Sequence, residues 1–366
     1  MSGTQPFRIE VDPEALADLR SRLAGTRYAR PAGVAGATGW EPSRVRELVE
    51  HWADGYDWRA AESRLNRYPQ FLSGDEKPLH FVHLRATSST ELPVLLLHGW
   101  PSSFVEMLPL AERLAATRDV VIPSLPGFLF SAAPAEPWTR NGTADRLDQL
   151  MTETLGYSRY TVFGGDIGGT VAAWLGAAHA ESVAAIHLIH PPYPAGFEDP
   201  PLTAAEQAFL DAEAEYDETD GGYSAIMITR PDTISAALVD SPAGLLAWIA
   251  DKWRDWSDCD GDLSRRLPDD DLLTLVSLYW LTGCIDTSMR QYVHFDFNPP
   301  RPLIEVPVGF TISSEPGMAG FPRSIAERAC SQIVHWSEPG RGGHFLAWEE
   351  PELMASELRA TFDSRR

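Results

Sequence analysis

Residues Gly164-Gly-Asp-Ile-Gly-Gly169 lie between the apolar run Tyr160 to Phe163 and a stretch of small residues from Ile167 to about Ala178. A strand that stops at two glycines and restarts as a small-residue helix has few backbone solutions. The turn must be tight, the helix must pass close to the sheet, and the apical residue must stand above it. This is the G-x-S-x-G nucleophile elbow with Asp166 in the serine position. A dinucleotide fingerprint does not fit, because Asp166 takes its second glycine position. A glycine turn whose aspartate only caps the helix is the competing reading.

Strand, turn and helix alternate on both sides of this turn. Leu92 to Leu97 is an apolar run closed by His98-Gly-Trp-Pro101, with a helix expected through Leu114. Asp119 to Pro123, Tyr160 to Phe163 and Val183 to Ile189 read as further buried strands, with a helix over Ala144 to Leu155. Short apolar strands alternating with helices predict an α/β fold with a mostly parallel central sheet covered on both faces. Residues 196–299 interrupt the alternation with acidic, tryptophan-bearing helical sequence, and it resumes with Val306 to Ile312. A helical insertion of this kind is expected to form a lid over the carboxyl ends of the strands, where open α/β sheets bind ligands. Residues 1–85 carry helical stripes at Leu16, Leu19 and Leu23 and over Val45 to Trp58. The expected division is therefore an N-terminal, mostly helical extension (1–85), a core (86–195 and 300–366) and a helical cap (196–299).

Composition narrows the function classes. The net charge of the 366-residue chain is −22 and no basic block occurs, which argues against a nucleic-acid partner. No run approaches 18 apolar residues, so no membrane span is expected. Three widely spaced cysteines, Cys259, Cys284 and Cys330, argue for a reducing compartment, and the start of the chain lacks the pattern of a secretory signal. The expected location is the cytoplasm. Lysine stands at only two positions, Lys77 and Lys252, the mark of a GC-rich genome.

An elbow calls for further parts in a set chain order. A histidine should follow the last strand, and Arg341-Gly-Gly-His344-Phe345 supplies one with a glycine-lined approach. The other nine histidines lack such a setting; His187 and His190, for instance, alternate on a buried strand. An acid should orient the base, and Glu315, after the strand ending at Ile312, is the candidate. Backbone N–H groups of Ile167, next to the nucleophile, and Trp100, in the loop after the early strand, would form an oxyanion hole. A carboxylate nucleophile suits opening of a strained or activated C–O or C–halogen bond, with water activated by His344 then cleaving the resulting ester. No metal-ligand spacing occurs and no cofactor is expected.

His98-Gly-Trp-Pro-Ser-Ser103, Gly164-Gly-Asp-Ile-Gly168 and Gly342-Gly-His-Phe345 resemble the epoxide hydrolases of the α/β-hydrolase superfamily, in the microsomal-type branch with an extra N-terminal domain. Trp52-x-x-x-Tyr56-Asp-Trp-Arg59, Glu62, Leu65-Asn66 and Pro69-Gln-Phe71 look like the signature of that domain. The resemblance implies an α/β-hydrolase fold and hydrolysis of a small-molecule epoxide by water to a vicinal diol. It also implies two cap tyrosines that donate to the epoxide oxygen. Tyr223 and Tyr292 match those positions, with Tyr279 and Tyr216 as weaker candidates. Two departures stand out: Ile167 replaces a tryptophan common after the nucleophile, and Ser313-Ser314 replaces Phe-Pro before the acid. Aromatic residues in the cap suggest an apolar, aryl-bearing epoxide. Relatives in actinomycete natural-product pathways suggest secondary metabolism and antibiotic biosynthesis, and a homodimer is among the expectations.

Two other readings compete. A haloalkane dehalogenase also uses an aspartate elbow, but Ile167 removes a tryptophan donor that such enzymes place beside the nucleophile. A catalytically silent hydrolase-fold binding protein is disfavoured because nucleophile, base and acid are all present.

Overall fold

Short, largely apolar runs three to six residues long build the sheet. Val94–Leu97 and Val120–Pro123 are buried at every position, as strands covered on both faces must be. The computed structural model describes residues 3–30, 39–134, 137–197 and 200–363. Among these, nine strands form one sheet: β1 Gln5–Phe7, β2 Gln70–Leu72, β3 His80–Leu84, β4 Val94–Leu97, β5 Val120–Pro123, β6 Tyr160–Gly164, β7 Val183–Leu188, β8 Val308–Thr311 and β9 Ile333–Ser337. Their order is β1-β2-β3-β5-β4-β6-β7-β8-β9. The first three strands and the β3–β5 pair are antiparallel, and every pair from β5 to β9 is parallel.

The order reverses around β4, which lies between β5 and β6. At such a switch point the loops leaving two neighbouring strands diverge and leave a crevice at their carboxyl ends. The loops concerned are His98–Ser103, after β4, and Gly165–Asp166, after β6. Helix Asp166–Ala178 then runs back against the sheet. A Cβ on Gly168 would lie 2.3 Å from the Leu97 carbonyl oxygen, so only glycine permits this approach.

Residues 196–299 fall between β7 and β8. Their described part holds helices Ala204–Asp220, Gly222–Thr229, Pro231–Leu238, Pro242–Trp256, Asp269–Thr282 and Ile285–Val293. The N-terminal extension contributes helices Pro13–Ala24, Pro42–Asp54 and Trp58–Leu65 together with the sheet edge β1–β3. Its signature residues have identifiable tasks. Trp52 Nε1–H donates to Ser277 Oγ at 3.0 Å and the Tyr56 hydroxyl meets Thr274 Oγ1 at 3.0 Å, so both grip the helix Asp269–Thr282. Glu62 Oε1 accepts the Val11 N–H at 2.8 Å, and Asn66 exchanges two hydrogen bonds with the Ile9 backbone. No single helix among the described residues is long and apolar enough to cross a membrane.

The helix expected over Ala144 to Leu155 starts earlier and ends differently. Thr139 Oγ1 accepts the Gly142 N–H at 3.3 Å and starts the helix at Arg140 despite Asn141-Gly142. It then widens into a π-helical turn over Leu150–Thr154.

Candidate active site

Asp166 begins its helix with φ of +52°, a left-handed conformation that residues other than glycine seldom adopt. Its neighbours must be small: a Cβ on Gly164 would lie 2.4 Å from the Gly168 carbonyl oxygen. The Trp100 N–H donates to Asp166 Oδ1 at 2.9 Å, so the loop after β4 already aims one backbone donor at this carboxylate. Ile167 supplies an N–H of the same helix's first turn, where no intrahelical acceptor exists.

His344 Nε2 lies 3.8 Å from Asp166 Oδ2, and its Nδ1 lies 2.5 Å from Glu315 Oε2. The three side chains expected from sequence to act together therefore do meet. Backbone contacts hold the loops that deliver them. Ser314 N–H donates to the Gly342 carbonyl, joining the Glu315 and His344 loops, and His344 N–H donates to the Trp256 carbonyl, each at 2.8 Å. The glycines before His344 are required by this packing. Gly342 has φ of +78°, and a Cβ on Gly343 would lie 2.2 Å from the Trp256 oxygen.

Sequence reasoning missed the clamp on this loop. The buried Glu349 carboxylate accepts N–H groups of Asp258, Gly343 and Phe345 at 2.8, 3.0 and 3.1 Å, tying the His344 loop to the segment after helix Pro242–Trp256. It also missed Glu106, buried on helix Phe104–Leu114, and Arg140, buried with Gln291 as its side-chain partner. Burial, reinforced by Asp166 and Glu349, pushes the Glu106 carboxyl up to about 7. Burial brings the Arg140 guanidinium down to about 10, against the attraction of Asp166. None of these residues sits in a recognisable motif, so nothing short of the tertiary arrangement marks them. His190 is the fourth omission. Its Nδ1 accepts the Asp166 N–H at 2.8 Å and its Nε2 lies 2.8 Å from Glu315 Oε1, bent away from a linear hydrogen bond.

Charge in the cluster is strongly coupled. Burial alone would lower the His344 imidazole, but Glu315 and then Asp166 outweigh it and raise it to about 9. Burial alone would raise Glu315, but His190 and His344 hold it well below the usual carboxylate range. Among the described residues, the one group of ligand-type atoms clustered within 4.8 Å is His190, Glu315 and His344, and both imidazoles already face the carboxylate.

Above the carboxylate, Trp100 stacks on Tyr223 with ring centroids 5.6 Å apart, and Tyr292 meets both edge-on at 6.0 and 6.2 Å. Trp256 joins Tyr223 to His344, at 5.1 and 4.8 Å. Burial, and secondly the Asp166 charge, push both tyrosine hydroxyls upward, so both stay protonated. The alternatives are engaged elsewhere: Tyr279 donates to the Ser102 carbonyl at 2.7 Å and Tyr216 to Asp220 at 2.9 Å. The remaining histidines also have local partners; His187, for example, sits between Thr361 and Thr311, and His98 accepts the Leu125 N–H.

Comparison with known proteins places the chain in a family. The family described as "Epoxide hydrolase N terminus" matches residues 4–107, and the family described as "alpha/beta hydrolase fold" matches residues 93–222. A Stigmatella aurantiaca protein provisionally described as an epoxide hydrolase is 36% identical, over 100% of this chain and 86% of that protein. The solved epoxide hydrolase of Aspergillus niger is 31% identical with a TM-score of 0.82, covering 100% of this chain and 96% of that one. The juvenile hormone epoxide hydrolase of the silkworm Bombyx mori is 28% identical with a TM-score of 0.90, covering 100% and 95%. With an aspartate elbow on a hydrolase sheet and full-length likeness to such enzymes, the chain belongs to the α/β-hydrolase-fold epoxide hydrolases that carry the N-terminal epoxide hydrolase domain.

Proposed function

We propose that this enzyme opens its epoxide through a covalent ester on Asp166. The observation that carries the reading is the convergence of Asp166, His344 and Glu315 below two protonated tyrosines, with a backbone donor already on Asp166 Oδ1. In the first step an Asp166 oxygen attacks an epoxide carbon, the C–O bond breaks, and the developing alkoxide, hydrogen-bonded by Tyr223 and Tyr292, takes up the proton that the His344 imidazolium releases, which leaves both tyrosines protonated and His344 neutral. In the second step His344 removes a proton from water, which attacks the ester carbonyl. The N–H groups of Trp100 and Ile167 receive the oxyanion, and the diol leaves with Asp166 restored.

The charge coupling suits this order. A carboxylate beside a protonated imidazole is the starting state. Alkylation turns Asp166 into a neutral ester and removes one of the charges that raise His344. The imidazole thereby becomes easier to deprotonate when a base is needed.

The substrate class we propose is an apolar epoxide, aryl-bearing in the natural case, received by the rings of Trp100, Tyr223, Trp256 and Tyr292. Residues 196–299 act as the cap that supplies the donors, over a core of 86–195 and 300–366 joined to the 1–85 extension. A cytoplasmic enzyme of secondary metabolism, in antibiotic biosynthesis and assembled as a homodimer, completes the reading; three free, buried cysteines are compatible with that compartment. The test is incubation of the purified protein with styrene oxide and, separately, with a haloalkane. Diol from the first without halide release from the second is expected; halide release alone would overturn the assignment.

A further inference from the structure

The nucleophile's backbone and the acid's carboxylate both touch one side chain that the reaction scheme above leaves unused. Asp166 N–H lies in the first turn of its helix, where no carbonyl is available to it, and the residue is held at φ of +52°. Its acceptor is His190 Nδ1, at 2.8 Å. That bond requires an unprotonated Nδ1, so the neutral ring carries its hydrogen on Nε2. Nε2 faces Glu315 Oε1 at 2.8 Å, while Glu315 Oε2 faces His344 Nδ1 at 2.5 Å. Each carboxylate oxygen thus faces an imidazole nitrogen, between two rings whose centroids are 4.6 Å apart, although the His190 Nε2 contact is bent. With one partner the carboxylate plane could turn about a soft terminal torsion; a second limits that turn.

A histidine that only satisfied a stray N–H would need one ring nitrogen. Here both face members of the reacting set, and they close a circuit from Asp166 N–H through His190, Glu315 and His344 back to the Asp166 carboxylate.

We propose that His190 is a positioning residue that sets the Asp166 elbow through Nδ1 and the Glu315 carboxylate through Nε2. The proposal rests on the aspartyl-ester reading above. The ring's two nitrogens can be replaced one at a time. An asparagine can present its side-chain oxygen near the place of Nδ1 but does not extend to Glu315. A glutamine can bring an N–H near the place of Nε2 but loses the acceptor for Asp166.

The experiment measures ester formation and ester breakdown separately, by rapid quench and intact-protein mass with styrene oxide as the probe. For His190→Asn, ester formation is expected near the wild-type rate and breakdown about 10-fold slower. For His190→Gln the pattern should reverse, with formation about 10-fold slower. Each variant carries its own split, so loss of one to misfolding leaves the other as the test. Equal slowing of both steps in a variant, or wild-type rates in both, would overturn the proposal. Absence of any ester in the wild type while diol forms would instead overturn the underlying reading.

Discussion

The Trp100 N–H donates to Asp166 Oδ1 at 2.9 Å, across the crevice between the loops that follow β4 and β6. In the mechanism proposed above, this backbone donor is oriented before substrate arrives and would need no reorganisation as the Asp166 oxygen became an ester carbonyl and then an oxyanion. Asp166→Asn keeps the shape and removes the charge. It should abolish diol formation with melting temperature nearly unchanged. The mass of the purified variant must show asparagine, because deamidation would restore the nucleophile.

The same substitution should change the base. Asp166 is one of the charges raising His344 to about 9, so the imidazole of Asp166→Asn should titrate lower than that of the wild type by NMR. Because the folded value is raised, His344 stabilises the fold fully below the unfolded value of ~6.5. That contribution is lost as pH rises through about 9. The loss should be smaller in Asp166→Asn. An unchanged His344 titration would contradict the coupling.

Tyr223 and Tyr292 meet edge-on at 6.2 Å, both protonated and both feeling the Asp166 charge. Each Tyr→Phe change should slow ester formation by roughly 10- to 1000-fold, about 1.4–4 kcal/mol, and the double change should be far worse. Breakdown of a preformed ester should be little affected. Wild-type rates of ester formation in both single variants would remove these tyrosines from the mechanism.

Gly343→Ala places a methyl group 2.2 Å from the Trp256 carbonyl, and backbone cannot yield as a side-chain end can. The loop carrying His344 must shift, so ester breakdown should slow more than ester formation. Stability should fall by about 1–3 kcal/mol, in the range of other overpacking changes. Calorimetry and single-turnover rates check the two parts.

Much of this site is legible in the linear sequence because its chemistry demands local backbone shapes. The glycines around Asp166 are forced by a strand–helix contact, and those before His344 by a cap carbonyl. Both patterns survive in the sequence as short motifs. Tyr223 and Tyr292 needed the resemblance, since an aromatic residue in a helical cap looks the same whether it packs or donates. His190, Glu349 and Glu106 were illegible for another reason. His190 is matched to Asp166, and Glu349 reaches Asp258, far along the chain, and a lone histidine or glutamate beside an apolar run carries no spacing that reveals them. At the fold level, β1 and β2 are three residues each, too short for alternation to show; β2 pairs with β3, and β1 with β2.

The central claim is the ester on Asp166, and His344→Gln tests it most directly. Without its base the enzyme should still attack the epoxide but fail to release the product. The account predicts that intact protein mixed with styrene oxide gains the mass of one epoxide, with the added mass on the peptide containing Asp166. Unmodified protein, under conditions where the wild type forms diol, would contradict it.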